Sequence, residues 1–239
     1  MVDHHLPDAL LLEYAVGSAD PGHALITACH ATLCPQCRAT ISDYEDIGGA
    51  LLDGAPAPRV GPADQAWGDG LAQQMASLLS APDLPGGGMG TGTGMGTGTG
   101  IPARAGEAHG DKVLPWPLLE ILGPLATLDW TRPFDGLEFF EFEVPGSDTI
   151  TRLTRAHAGL GVPTHAHAGL ELDLVLTGGL FDETRKREFE RGDIQSADID
   201  IVHEMTILPG EPCLVLTVNI GKFMPRSPEA EAIASLLGW

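Results

Sequence analysis

The 239-residue chain carries 33 acidic and 13 basic side chains, a formal net charge of −20. Such a charge repels phosphate backbones and attracts basic protein surfaces, so direct binding to nucleic acid is disfavoured. Hydrophobic residues make up 43% of the chain, enough for packed cores, and the length suits one or two domains.

The opening residues, MVDHHLPDAL, lack a basic stretch followed by an apolar core, so no signal peptide is expected. No apolar run reaches the roughly 18 residues of a membrane span. The expected location is therefore the cytoplasm. Under reducing conditions the four cysteines point to metal or redox chemistry rather than to structural disulfides.

Helical patterns fill the first part of the chain. Leu10, Leu11, Tyr14 and Ala15 form one stripe. In PQCRATISDYEDIGGALL, Ile41, Tyr44, Leu51 and Leu52 form a broad apolar face, with Pro35 suited to the first turn. Gly48-Gly49 weakens that helix or admits a second backbone. Leu71, Met75, Leu78 and Leu79 form a last stripe, within a helix expected over 67–80. A unit built from such short segments often needs a staple such as a metal ion.

The stretch CHATLCPQCR supplies the means. His30, Cys34 and Cys37 stand as H-x3-C-x2-C, which brings an imidazole and two thiolates to one side of a helical turn. Zinc takes four such ligands tetrahedrally. His4, His5 and His23 are the nearest sources of a fourth. A redox dithiol is the competing reading, but thioredoxin-type pairs follow a strand in a βαβ unit, and no such pattern occurs here. Cys29 reads as a small buried apolar residue.

Nine of the fifteen residues in GGGMGTGTGMGTGTG (86–100) are glycine, the composition of a flexible linker. Beyond it the pattern changes to β. Phe140, Phe142 and Val144 alternate with Glu141 and Glu143, while LELDLVL (170–176) and LVLTVNI (214–220) read as further strands. Recurrent Pro and Gly turns suggest an all-β sandwich or barrel. A short helix is expected from Pro228.

A second ligand pattern lies in this part. His165, His167, Glu171 and Asp173 share strand parity, opposite to Leu170, Leu172, Leu174 and Leu176. If that parity persists through Ala168-Gly169, three ligands face one interior, with His203 arriving from a neighbouring strand. Three imidazoles and a carboxylate suit Zn, Fe, Mn or Ni. His109 and His157 read as incidental. Gly159-x5-His165-x-His167-x3-Glu171-x6-Gly178 matches the first cupin motif at every named position. Gly192 and His203 fit the second, in which Asp198, Asp200 and Ile207 replace the usual Pro, Gly and Asn.

HHLPDALLLEYAVG, ACHATLCPQCRA and IGGALL resemble the N-terminal domain of ChrR-type zinc-containing anti-sigma factors. The stretch from His165 to His203 is similar to the cupin of the same family. The resemblance implies a two-domain α plus all-β fold: a zinc-bound helical bundle (1–81), a Gly/Pro-rich linker (82–112), a cupin jelly-roll barrel (113–222) and a C-terminal tail (223–239). It implies metal ligands His5, His30, Cys34 and Cys37 in the first domain, and His165, His167, Glu171 and His203 in the second. Zinc is the implied metal of the helical site; zinc or another divalent transition metal is that of the cupin.

The implied function is that of an anti-sigma factor rather than an enzyme. It sequesters an extracytoplasmic-function RNA polymerase sigma factor, with the 67–80 helix as a contact element, and releases it under oxidative stress from singlet oxygen or organic peroxide. The charge of residues 1–80, ten acidic residues against two arginines and so a net of −8, suits a basic partner. The alternative is a metal-dependent cupin enzyme, dioxygenase-like, with a regulatory zinc domain.

Overall fold

The computed structural model describes residues 2–54, 113–199 and 201–237. The helix expected over 67–80, the glycine-rich stretch and His109 lie outside these residues. Met1–Ala50 and Ala108–Trp239 belong to one compact unit, and Leu51–Glu107 form a second.

Three helices open the chain: α1 (Asp8–Ala15), α2 (Pro21–Leu33) and α3 (Pro35–Gly54). Asp20 caps α2, its carboxylate accepting the Gly22 N–H at 2.8 Å, and Pro21 takes the first turn, where no N–H is needed. Cys34 breaks α2 from α3. A residue before proline is pushed toward extended backbone, and Cys34 sits at φ −109°, ψ 104°. Its Sγ then accepts the Cys37 N–H at 3.4 Å, so the thiol caps the helix that Pro35 begins.

Helix α3 runs straight through Gly48 and Gly49, where added Cβ atoms would meet nothing. The broad apolar face expected for it divides in two. Ile41 is buried and Tyr44 half-buried, whereas Ile47, Leu51 and Leu52 are 57%, 72% and 77% exposed. The helix is longer than the core it covers.

After a short helix α4 (Trp116–Leu122), the described residues form eleven strands in two sheets. They are β1 (Thr131–Phe134), β2 (Leu137–Phe142), β3 (Ile150–Ala156), β4 (Gly161–His167), β5 (Glu171–Thr177), β6 (Gly179–Asp182), β7 (Arg187–Glu190), β8 (Ile194–Ala197), β9 (His203–Ile207), β10 (Cys213–Asn219) and β11 (Phe223–Pro225). One sheet has the order β1-β2-β3-β10-β5-β8 and the other β11-β4-β9-β6-β7, all neighbours antiparallel. Helix α5 (Pro228–Leu237) follows, as its sequence predicts.

Strand alternation decides where the core lies. On β5 and β10, Leu172, Leu174, Leu176, Leu214, Leu216 and Val218 point to one face of the six-stranded sheet. They pack there with Leu10, Leu25, Ile26, Cys29 and Leu118 of the helices in one continuous apolar core. Glu171, Asp173, Val215 and Thr217 point the other way, into a cavity between the sheets. The sheet is thus covered on both faces, and the helices rest on the barrel as well as on each other. Ile26 is fully buried in this shared core. Ile26→Ala should cost about 2–5 kcal/mol, read as a lowered midpoint in urea. A change under about 0.5 kcal/mol would mean the helices do not depend on this contact.

Candidate metal centres

The helical cluster forms where α1's leader, α2 and α3 meet. His5, His30, Cys34 and Cys37 each offer a ligand atom, and all four atoms lie within 4.8 Å of one another. His30 Nε2 is 3.2 Å from Cys37 Sγ, and His5 Nδ1 is 3.3 Å from Cys34 Sγ and 3.7 Å from Cys37 Sγ. His30 uses its other nitrogen, Nδ1, on the Gly192 carbonyl at 2.9 Å. His4 is turned away: its Nε2 meets the Glu188 carbonyl at 2.9 Å and its ring lies on Phe189. His23 is buried outside the cluster, and Cys29 is fully buried in the apolar core.

The donor set fits a cation. Cys34 and Cys37 are free thiols. Burial, with the charge of Cys34 adding to it, pushes the Cys37 thiol up to about 11. A thiolate at Cys37 is therefore unfavourable here unless a positive ion compensates it. Burial also raises Cys29, and it pushes Cys213 up to about 12, so neither is a reactive thiol.

The barrel cluster draws on both sheets. His165 and His167 end β4, and His203 begins β9 directly opposite His165. Glu171 begins β5 in the other sheet. Ala168-Gly169-Leu170 is thus a corner between sheets and not the continuation of one strand. The ligands converge because the two inner faces oppose each other, and parity along a single strand is not the reason. Gly178, at φ +62°, leaves no room for a side chain: a Cβ there would lie 2.9 Å from Cys213 Cα and from the Glu211 carbonyl. Ile207, where the cupin motif has Asn, lines the apolar part of the cavity.

All four ligand atoms again lie within 4.8 Å of one another, and all four residues are buried. Glu171 Oε2 is 2.9 Å from His167 Nε2 and 3.4 Å from His203 Nε2, while His203 Nε2 is 3.3 Å from His167 Nε2. Burial works to raise Glu171, but the His167 hydrogen bond and the three imidazoles hold it below the usual carboxylate range. The His165 Nδ1–H donates to the Pro163 carbonyl at 2.7 Å, and its ring stacks on Phe223 at 4.5 Å. Lone pairs crowded around one buried carboxylate suit a divalent ion that they can share. A cavity of about 470 Å³ opens beside them, with Arg152, Thr217 and Asn219 among its polar walls and Leu137, Met205 and Val215 among its apolar ones.

Sequence reasoning missed the supports. Burial, with the Glu171 charge adding to it, drives Asp173 well above its usual range, and its Oδ1 accepts from Thr217 Oγ1 at 2.6 Å. Its shared parity with Glu171 was the available signal. The Gln195 amide, 3.0 Å from His203 Nδ1, had none, because its strand partner is set only by the β5–β8 register. His157 is exposed, away from the cluster.

Burial holds His30 and His165 down to about 4, so both rings are neutral and ready to ligate at pH 7. The sign follows. Unfolded histidine titrates near ~6.5, so stability from these rings is complete above that pH and is lost as pH falls toward 4. The metal-stripped chain should show a level urea midpoint from pH 8 to 7 and a steep fall between pH 6.5 and 4. A midpoint level across that window would contradict buried neutral imidazoles.

A helical segment carrying a His2Cys2 cluster, packed on a cupin-like barrel carrying a His3Glu cluster, defines a class of cupin protein with two candidate metal sites. The anti-sigma-E factor ChrR of Cereibacter sphaeroides is 31% identical to this chain over 232 residues, 94% of this chain and 95% of the relative. The chain therefore belongs to the ChrR family of anti-sigma factors. The crystal structure of Rhodobacter sphaeroides SigE in complex with the anti-sigma ChrR matches with a TM-score of 0.65 and 28% identity, covering 92% of this chain and 99% of that one. An RmlC-like cupin protein of Ralstonia eutropha matches over 44% of this chain and 71% of its own, with a TM-score of 0.40 and 15% identity. No protein-family model matches the chain. Among the described residues, no helix is long and apolar enough to cross a membrane.

Proposed function

We propose that this chain is a cytoplasmic anti-sigma factor whose helical part sequesters an extracytoplasmic-function sigma factor of RNA polymerase. Its cupin barrel senses oxidative stress, singlet oxygen or an organic peroxide, and brings about release. The carrying observation is that the similarity to the anti-sigma relative spans 94% of the chain, helical part and barrel alike. Zinc is the metal assigned to His5, His30, Cys34 and Cys37, and zinc or another divalent transition metal to His165, His167, Glu171 and His203. When bound, the helical-site ion supplies charge that stabilises two buried thiolates and so fixes the junction of α2 and α3. The exposed Ile47 on α3, flanked by Asp43, Glu45 and Asp46, supports a contact with a basic partner.

The test is co-expression with an extracytoplasmic-function sigma factor, the neighbouring one if the gene has one. A stable 1:1 complex and repression of sigma-dependent transcription are expected. Full transcription in the presence of excess metal-loaded protein would overturn the reading. Treating the complex with peroxide examines the trigger: a Cys37→Ser chain that still binds sigma and still responds normally would exclude Cys34–Cys37 oxidation as the switch.

A further inference from the structure

The two clusters are joined by one short stretch of chain that touches a histidine of each. At its start, the Gly192 carbonyl accepts from His30 Nδ1 at 2.9 Å, which keeps Nε2 turned toward Cys37. Three residues on, the Gln195 amide sits 3.0 Å from His203 Nδ1, behind a ring whose Nε2 faces His167 and Glu171. Between them the Asp193 carboxylate accepts the amides of Asp3 at 2.7 Å, His4 at 3.0 Å and Glu190 at 2.9 Å. The Ile194 N–H donates to the His4 carbonyl at 3.3 Å. The backbone just before His5 is therefore tied to the same stretch as His30 and His203. Three extended residues cover roughly 10 Å.

Both ends are tightly set. Gly192 has φ +93°, and a Cβ there would lie 2.8 Å from Val2 Cγ2. Gln195 is 2% exposed, and its Oε1 has no hydrogen-bond partner among the described residues. A half-turn of the amide brings Oε1 to His203 Nδ1, where it accepts the ring proton. That tautomer leaves the His203 Nε2 lone pair for an ion. Fixing the outer nitrogen of a histidine ligand sets ring orientation and basicity, and its loss costs about 10–100-fold in metal affinity.

We propose that Gly192–Gln195 is a positioning element shared by both metal centres, so that an empty or disturbed barrel site loosens the helical site. This rests on the reading that both clusters hold a metal. The coupling runs through Gln195, β8, the Gly192 carbonyl and the Asp193 clamp, with no step through solvent or through the cavity.

Cobalt(II) is a suitable probe, because only the helical site has thiolates and only it gives a thiolate-to-cobalt charge-transfer band. The full chain is loaded with cobalt, the metal counted, and the decay of that band followed after addition of EDTA. Gln195→Leu and His203→Ala should each speed the decay about fivefold or more. They should also lower hydrogen-exchange protection at the Asp3 and His4 amides. Gln195→Glu, which still accepts from Nδ1, should restore the slow decay. Coupling of binding free energies is reciprocal, so Cys34→Ala should weaken the barrel site's cobalt affinity by the factor by which His203→Ala weakens that of the helical site. That arm keeps the test decisive if Gln195→Leu does not fold. Fewer than two ions per unsubstituted chain would overturn the two-site reading and the coupling with it. Two ions, with the same decay in Gln195→Leu as in the parent chain and no barrel effect of Cys34→Ala, would overturn the coupling alone.

Discussion

Cys34→Ala is expected to empty the helical site and abolish stable binding to a sigma factor. Cys34 acts twice. Its Sγ is one of four converging ligand atoms, and the same atom caps α3 by accepting the Cys37 N–H at 3.4 Å. Loss of a direct ligand should exceed the roughly 10–100-fold that an outer partner costs in metal affinity. Loss of the cap removes a further ~1 kcal/mol of helix stability. Cys34→Ser separates the two, since a hydroxyl still caps but is a poor zinc ligand. Metal per chain should fall from two to one in both variants, while the serine chain should retain more helix by circular dichroism. Two ions retained by Cys34→Ala would show that the cluster is not the site.

Glu171→Ala should empty the barrel site with the barrel intact. Glu171 supplies the one carboxylate among three imidazoles, and its Oε2 lies closest to His167 and His203. Its neighbours Leu172 and Leu174 face the opposite side of the sheet, so the shared apolar core keeps its contacts. Metal content should drop by one ion per chain, with unchanged far-UV circular dichroism. Metal-dependent thermal stabilisation should shrink, because an ion that binds only the folded state raises its stability by mass action. An undiminished metal count would remove Glu171 from the ligand set.

Both side-chain clusters were legible because their chemistry is local. H-x3-C-x2-C places His30 one turn before Cys34 and Cys37 in the first turn of the next helix, and the extended residue before Pro35 lets both sulfurs face one point. His5 was the exception. Sequence left His4, His5 and His23 open as the fourth ligand, and only the resemblance favoured His5. In the fold, His4 is drawn to the Glu188 carbonyl and Phe189, which are 184 residues or more away in the chain. In the barrel, motif spacing named His165, His167, Glu171 and His203, but for an incomplete reason. Parity was read along one strand, whereas the chain turns a corner at 168–170 and the ligands meet across two sheets.

By itself the sequence determined the element types, the alternation that separates a leucine face from a polar face, and the residues able to bind metal. These depend on side-chain period, on proline and glycine backbone limits, and on ligand chemistry, all of which act over a few residues. Tertiary structure alone decided what covers the leucine face. The helices that hold the Cys/His cluster pack on the back of the sheet that supplies Glu171, in one apolar core. It also decided that Gly192, Asp193 and Gln195 stand between the two clusters. Apolar burial is non-directional, and a hydrogen bond between residues 162 positions apart leaves no periodic trace, so neither could be read before the chain was folded.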